Sequence, residues 1–368
     1  MHKTPEIFKR QVRTLLQLLQ IAKFCSKITP YYNIRFPGVL LHALRLCRKE
    51  RFEPREAFRL GLFRPNLSPA ELSKYISRKN LTKVQESLNP PSWAALTKDK
   101  SIFYRYCMAL GVPIPKLYAV FFKRVAGWSY NGSFLKNRDE WKRFFDSRLP
   151  SDFVIKPAYG AYGRGVNIFS RTEEGFIDAS ARPYKAVDIY DTMLSSAEDD
   201  SFLIQQRLRN HPELVRLSGT ESLQTVRIIT FVGSDYQCHI LHAHFKPIIG
   251  QHVIDTFLQG LTGNVEAPVS LADGVLNPAN QITSSGEGIK TIPKHPKTNV
   301  SFEGFELPLW VEACSLVKET ALKFLPIRTI GWDVALTPNG PCIVEGNIWW
   351  DPPNQHRDMD IILNMLSP

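Results

Sequence analysis

Val154-Ile-Lys-Pro-Ala-Tyr-Gly-Ala-Tyr-Gly-Arg-Gly-Val166 sets a lysine ahead of three closely spaced glycines. Lysine suits phosphate, and glycine lets backbone N–H groups approach an anion unobstructed. A GxxxxGK[ST] loop carries its lysine after the glycines. Here Lys156 precedes Gly160, Gly163 and Gly165, so that reading fails. A GxGxxG loop opens a helix. Here the spacing is GxxGxG, and Val166-Asn-Ile-Phe-Ser alternates like a strand. What is left is a strand, a glycine turn and a return strand. Such a hairpin can fold over a triphosphate as a lid, with Lys156 reaching the α- and β-phosphates. A ligand-free structural hairpin is the plainer alternative.

A triphosphate calls for a hard cation held by oxygen ligands. Gly331-Trp-Asp-Val-Ala-Leu-Thr-Pro-Asn-Gly-Pro-Cys-Ile-Val-Glu-Gly-Asn347 reads as two strands joined at Pro338-Asn-Gly-Pro341. Glu345 and Asn347 are two apart and share a face. Antiparallel pairing can bring Asp333 opposite them. Two carboxylates and an amide oxygen suit Mg²⁺ bridging phosphates. Ordinary surface acids around a polar turn are the alternative.

Cations lie on the strands between these motifs. Arg227 sits in Thr225-Val-Arg-Ile-Ile-Thr, where a guanidinium could stabilise a phosphoryl group in transfer. A structural ion pair would use the same residue type. His242, His244 and Lys246 alternate along one strand and are expected on one face, with His239 on the other. Lys246 is the expected phosphate contact, while both histidines stay open between ligand and structural roles.

The elements that must carry these residues follow from periodicity. Phe8, Val12, Leu15, Leu16, Leu19, Ala22 and Phe24 predict an amphipathic helix over 5–28, ended by Pro30. Residues 36–60 read as helical, and Ser68-Pro-Ala-Glu-Leu opens a short capped helix. Lys98 to Gly111 reads as a helix closed by its glycine. Residues 112–121 lead through prolines into a strand, and further strands are expected at 153–156, 165–170, 202–206, 225–232, 238–246, 329–336 and 341–347. Helices are expected near 140–145, 185–197, 307–324 and the C-terminus. Residues 247–300 are rich in Gly, Pro and Asn with little regular pattern.

In order and spacing, "LTKDKSIFYRYCMALGVPIP", "DFVIKPAYGAYGRGV", "LIQQRLRNHPEL", "ESLQTVRIITF" and "GWDVALTPNGPCIVEGN" resemble the ATP-grasp superfamily. In detail they resemble its sugar-transfer-associated family, related to alpha-L-glutamate ligases. The similarity runs from about 95 to 350, and the family's helical preface resembles residues 1–90 more loosely. It implies an α+β ATP-grasp fold, two lobes clamping ATP. The domains would be a helical basic region 1–94, a lobe with the glycine-rich lid 95–205, and a lobe with the metal site 206–368.

By motif, Lys100 and Lys156 would be the nucleotide lysines, and Gly160, Gly163 and Gly165 the lid. Gln205, Gln206 and Leu208 would form the hinge that reads adenine, mostly through backbone groups. Many members carry an acid at this hinge, where this chain has glutamines. Glu213 would accept from the ribose hydroxyls. Asp333, Glu345 and Asn347 would bind two Mg²⁺ ions, with Mn²⁺ able to substitute. Asp255, Gln259, Gly260, Thr262, Gly263 and Asn264 would form acceptor-side loops.

The activity implied is an ADP-forming ligase working through an acyl phosphate, in polysaccharide or sugar-conjugate biosynthesis. Its partners would be a small carboxylate and an amine or sugar acceptor. A phosphotransferase acting on a hydroxyl is the second reading, and a membrane- or polymer-binding scaffold the third. Retention of Lys100, Lys156, Asp333, Glu345 and Asn347 argues against a scaffold.

Composition bounds the rest. A chain of 368 residues, 43 % apolar and 22 % charged, fits two or three soluble lobes. No transmembrane run and no good signal peptide are read. Six cysteines without CxxC or zinc spacing suggest reduced thiols in the cytoplasm. The net charge of +11 is concentrated at the N-terminus: residues 1–60 hold thirteen Lys and Arg against four Glu, or +9. With no RNA-binding signature or zinc finger, no nucleic-acid partner is expected. The helix over 1–28 is of a type that lies on the inner face of a membrane. Packing against the remainder of the chain is favoured over that alternative.

Overall fold

The structure, a computed structural model, describes residues 4–64, 66–160, 163–249, 255, 263–283, 285–353 and 359–366. Helix α1 spans Thr4–Tyr32, so it continues through Pro30 rather than stopping there. A proline so near the end gives up one intrahelical bond without stopping the residues beyond it. The helical stretch expected over 36–60 is two helices, α2 (Phe36–Lys49) and α3 (Pro54–Arg59). Arg51, at φ 61, turns the chain between them. Ile21, Cys25 and Ile28 of α1 pack with Val39, Ala43 and Leu46 of α2 and with Ala57 and Phe58 of α3. Ser68 caps α4 (Pro69–Leu72) with a capping box, as its sequence predicts.

Helix α5 (Arg78–Leu88) fastens this preface to the remainder. Its Gln85 donates to the Trp350 carbonyl at 2.8 Å. Asn89 accepts from the Arg328 and Thr329 amides and donates back to the Thr329 carbonyl. Both side chains are fully buried, where hydrogen bonds are obligatory. Next come α6 (Ala95–Lys98) and α7 (Lys100–Ala109). Asp99 accepts from the Ser101 and Ile102 amides to start α7.

The first sheet has eight antiparallel strands. They are β1 (Leu117–Phe122), β2 (Gly127–Ser129), β3 (Phe134–Leu135), β4 (Asp152–Pro157), β5 (Asn167–Thr172), β6 (Gly175–Asp178), β7 (Pro183–Tyr184) and β8 (Ser201–Gln206), in the order β3-β2-β1-β8-β4-β5-β6-β7. Helices α8 (Arg138–Ser147) and α9 (Ala186–Ser195) pack on it over an aromatic core that includes Phe121, Trp141, Phe145 and Phe153. Each such buried ring contributes roughly 2 kcal/mol of hydrophobic stabilisation.

After α10 (Pro212–Ser218) the second sheet forms from β9 (Thr225–Val232), β10 (Cys238–Phe245), β11 (Ala267–Pro268), β14 (Thr329–Thr337) and β15 (Gly340–Asn347). Its order is β11-β10-β9-β14-β15. Between β11 and β14 lie the hairpin β12 (Ala279–Ile282) and β13 (Ile289–Ile292), regular structure where none was expected, and α11 (Trp310–Lys323). Helix α12 (Met359–Leu366) closes the chain. Every residue of β14 is buried. Phe103, Tyr104 and Cys107 of α7 share one core with Trp332 and Ile343, so α7 belongs by packing to the second sheet as well as the first. No helix is long and apolar enough to cross a membrane among the described residues. All six cysteines are free.

Candidate active site

Strand register builds the site. His244 of β10 pairs with Arg227 of β9, Arg227 with Asp333 of β14, and Asp333 with Glu345 of β15. One row across four strands therefore carries an imidazole, a guanidinium and two carboxylates. Two residues further along β15, Asn347 donates from Nδ2 to Glu345 Oε1 at 3.2 Å. All five residues, together with Lys246, line a cleft of about 560 Å³ between the two sheets. That volume is in the range of small-molecule sites.

Charge in this row is tightly matched. Arg227 donates to Asp333 through Nε at 2.5 Å and Nη2 at 2.9 Å. Lys246 Nζ lies 3.1 Å from Asp333 and 3.5 Å from Asp255. Burial alone would raise the Asp333 pKa, but Arg227 and Lys246 outweigh it and hold the carboxyl well below the usual range. The same contest keeps Lys246 charged: burial lowers its pKa, and Asp255 with Asp333 raises it above the ordinary value. Asp255 is fixed by the Thr225 amide and hydroxyl at 2.8 and 2.5 Å. His244 is buried, and burial, with His242 and Arg227 nearby, drives its pKa far down and keeps the ring neutral. Burial likewise lowers His242 to about 4. His242 does not line the cleft, although its ring centre lies 5.4 Å from that of His244, so of the three alternate residues expected on one face His244 and Lys246 reach the cleft. The β-bulge in β10 falls between Ile240 and His242, so the alternation from His242 onward is intact.

The opposite wall is β4, β8 and the glycine segment expected to be the lid. Lys156, at 6 % exposure, donates to the Tyr104 hydroxyl at 3.0 Å and lies 4.7 Å from that ring's centre. Burial, and then the neighbouring charge of Lys100, lower its pKa to about 7. Lys100 donates to the Gly160 carbonyl at 2.7 Å and stands 3.9 Å from Glu345, so it bridges lid and acidic strand. Gly160, Gly163 and Gly165 all have positive φ. At Gly165 a Cβ would also meet Pro157 at 2.8 Å, so only glycine fits. Arg164 on the lid pairs with Glu198 and Asp199.

At the expected hinge, Gln205, Gln206 and Leu208 line the cleft. Gln205 is buried, and its Oε1 has no hydrogen-bond partner among the described residues. Gln206 Oε1 instead accepts from the Lys116 amide at 3.1 Å. Glu213 is not brought into the cleft. It opens α10, half exposed, and pairs with Arg216 at 2.7 Å. Glu221, eight residues on, lines the cleft. Of the expected acceptor loop, Asp255 reaches the cleft. Gly263 and Asn264 do not, and Asn264 serves the fold by accepting from the Ile249 amide. Gln259, Gly260 and Thr262 lie outside the described residues.

Sequence reasoning missed Tyr104, Glu221 and Glu266, the last of which lines the cleft 3.7 Å from His244. Tyr104 follows Lys100 by four residues, a same-face helical spacing that was available as a signal. Arg78 also lines the cleft and pairs with Asp351 at 2.8 Å, so the helical preface contributes a wall. No group of three or more His, Cys, Asp or Glu is placed to hold a metal among the described residues. The oxygen donors of Asp333, Glu345 and Asn347 nevertheless share one end of the cleft, which suits a hard cation.

A model of the sugar-transfer associated ATP-grasp family matches residues 79–353. No curated protein sequence matches significantly. Among solved structures, the chain is similar to a biotin carboxylase–ATP-analogue complex from Campylobacter jejuni, at 13 % identity over 80 % of this chain and 51 % of that one, with a TM-score of 0.42. It is similar to N5-carboxyaminoimidazole synthetase from Staphylococcus aureus complexed with ADP, at 11 % identity over 78 % and 54 %, TM-score 0.39. D-alanine–D-alanine ligase from Bacillus anthracis is 13 % identical over 74 % of this chain and 67 % of that one, TM-score 0.37. The chain thus spans about half the length of the first two of these proteins.

Proposed function

The chain belongs to the sugar-transfer associated ATP-grasp family, and on that premise we propose that it is an ADP-forming ligase that activates a carboxylate as an acyl phosphate. The observation that carries this reading is the row His244–Arg227–Asp333–Glu345 facing Lys156 across one cleft. Lys100 and Lys156 bind the phosphates under the glycine lid. Gln205, Gln206 and Leu208 hold adenine, and the unpartnered Gln205 Oε1 accepts from its amino group. Glu221, rather than Glu213, meets the ribose. Asp333, Glu345 and Asn347 hold Mg²⁺, which when bound neutralises phosphate charge.

Arg227 and Lys246 stand where charge develops. A substrate carboxylate oxygen attacks the γ-phosphorus, the bond to the β,γ-bridging oxygen breaks, and ADP leaves. The guanidinium and ammonium stabilise the transferring phosphoryl oxygens. An amine or hydroxyl oxygen then attacks the acyl carbon, phosphate departs, and the nucleophile gives up its proton. The family's description points to sugar-conjugate or polysaccharide synthesis as the setting. ATP and six unpaired cysteines suit the cytoplasm. We take 1–94 as the preface, 95–205 as the lid lobe and 206–368 as the metal lobe.

The test is ADP release with MgATP across a panel of small carboxylates, with hydroxylamine in place of the acceptor. A hydroxamate formed only with an acid present supports the ligase. Phosphate ester formed on a hydroxyl compound, with no hydroxamate from any acid, assigns a phosphotransferase instead.

A further inference from the structure

Helix α1 has two unlike faces. Ile21, Cys25 and Ile28 are buried against α2 and α3. On the helical wheel, Phe8, Val12, Leu15, Leu16 and Leu19 centre on the opposite side. Their exposures run from 40 to 67 %, with four of the five above half. The stripe covers about three turns, or roughly 17 Å of helix. Packing against the remainder of the chain, the reading favoured from sequence, does not cover it. Exposed apolar stripes of this kind mark an interaction surface.

We propose that this stripe docks α1 flat on an anionic lipid surface. Charge decides between lipid and a second copy of the chain. Lys23 and Lys27, on the following turns, are exposed. The segment 1–60 carries +9. A second copy would set two such segments against each other, while an anionic leaflet attracts them. A stripe of leucines and phenylalanine beside lysines is the pattern of an interfacial helix, and α1 is not apolar enough to span. Docking leaves the cleft untouched, because no α1 residue lines it.

Co-sedimentation of the full chain with vesicles tests this. Phosphatidylglycerol–phosphatidylcholine vesicles should bind it at least tenfold more tightly than phosphatidylcholine alone, and added salt should weaken the binding. The triple substitution Leu15→Ser, Leu16→Ser, Leu19→Ser should abolish it while leaving the unfolding temperature and ADP affinity unchanged. Lys23→Glu with Lys27→Glu should remove the preference for anionic lipid. Equal binding by wild type and triple variant, or no binding by wild type, would overturn the proposal. A wild-type dimer that the triple variant dissolves, with no vesicle binding, would assign the stripe to a second copy.

Discussion

Replacing Lys156 with methionine should move stability and nucleotide affinity in opposite directions. The wild-type ammonium is buried, and its pKa is lowered from 10.5 to about 7. The unfolded chain binds this proton more tightly, so the group costs stability at neutral pH. The arithmetic is short: a fall of about 3.5 in pKa at 1.36 kcal/mol each, less the half-titration at pH 7, is on the order of 4 kcal/mol. The lost hydrogen bond to Tyr104 returns about 1 kcal/mol of that. The ligand-free variant should therefore be more stable by roughly 2–4 kcal/mol at pH 7. The gain should shrink to roughly a third, about 1 kcal/mol, by pH 9 and vanish near about pH 10, as the unfolded chain's lysine also loses its proton and only the lost hydrogen bond remains. Affinity should fall, because a charge-assisted hydrogen bond to phosphate is worth about 1.5–3 kcal/mol, or ten- to hundredfold. Thermal unfolding at pH 7 and 9, with calorimetric titration of MgADP, reads both. A variant that is less stable at pH 7, or that binds MgADP as tightly as wild type, would refute the reasoning.

Nucleotide binding should take up about half a proton at pH 7 and close to one at pH 8.5, as phosphate restores the Lys156 charge. Calorimetric enthalpies in buffers of different ionisation heat measure this, and zero uptake would contradict it. Asp333→Asn leaves Arg227 and Lys246 without their shared anion, and should destabilise the protein by about 3–5 kcal/mol in denaturant titrations. Because Asp333 is held below the usual carboxylate range, its wild-type contribution is present above about pH 4 and lost as pH falls further. The variant should lack that acid limb. Glu345→Gln, at a partly exposed position, should leave stability nearly unchanged. It should weaken Mg²⁺ support of nucleotide binding by at least the ten- to hundredfold that loss of a supporting group costs a metal site. Glu221→Ala should weaken ADP binding roughly three- to tenfold, the worth of one hydrogen bond, while Glu213→Ala should leave it unchanged.

The acidic end of the cleft was legible because strand pairing converts spacing into position. Two residues apart on β15 is one face, but the turn alone would set Asp333 opposite Val344; a register shift between Asp333 and Val334, which no spacing announces, brings Glu345 there instead. The β4–β5 glycine hairpin was legible because a lysine before the glycines excludes the two helix-opening loops. That Glu221 rather than Glu213 lines the cleft was not. Between Gln206 and Thr225 the chain follows α10 and loops, and no periodicity says which glutamate turns inward. Tyr104 was hidden by its own chemistry, since a tyrosine in an amphipathic helix reads as core. It is core, and its hydroxyl also holds Lys156. The partner of Arg227 was beyond reach, because it depends on which strand lies between β9 and β15. The placement of β14 there comes from a connection of about ninety residues.

The central claim is that the γ-phosphoryl group goes to a carboxylate. The most direct measurement uses an acid that stimulates ADP release, labelled with ¹⁸O in its carboxyl group, and mass spectrometry of the phosphate released after acceptor attack. Transfer through an acyl phosphate predicts one ¹⁸O in each phosphate from fully labelled acid. Phosphate that carries no label while the acid is consumed would contradict the account.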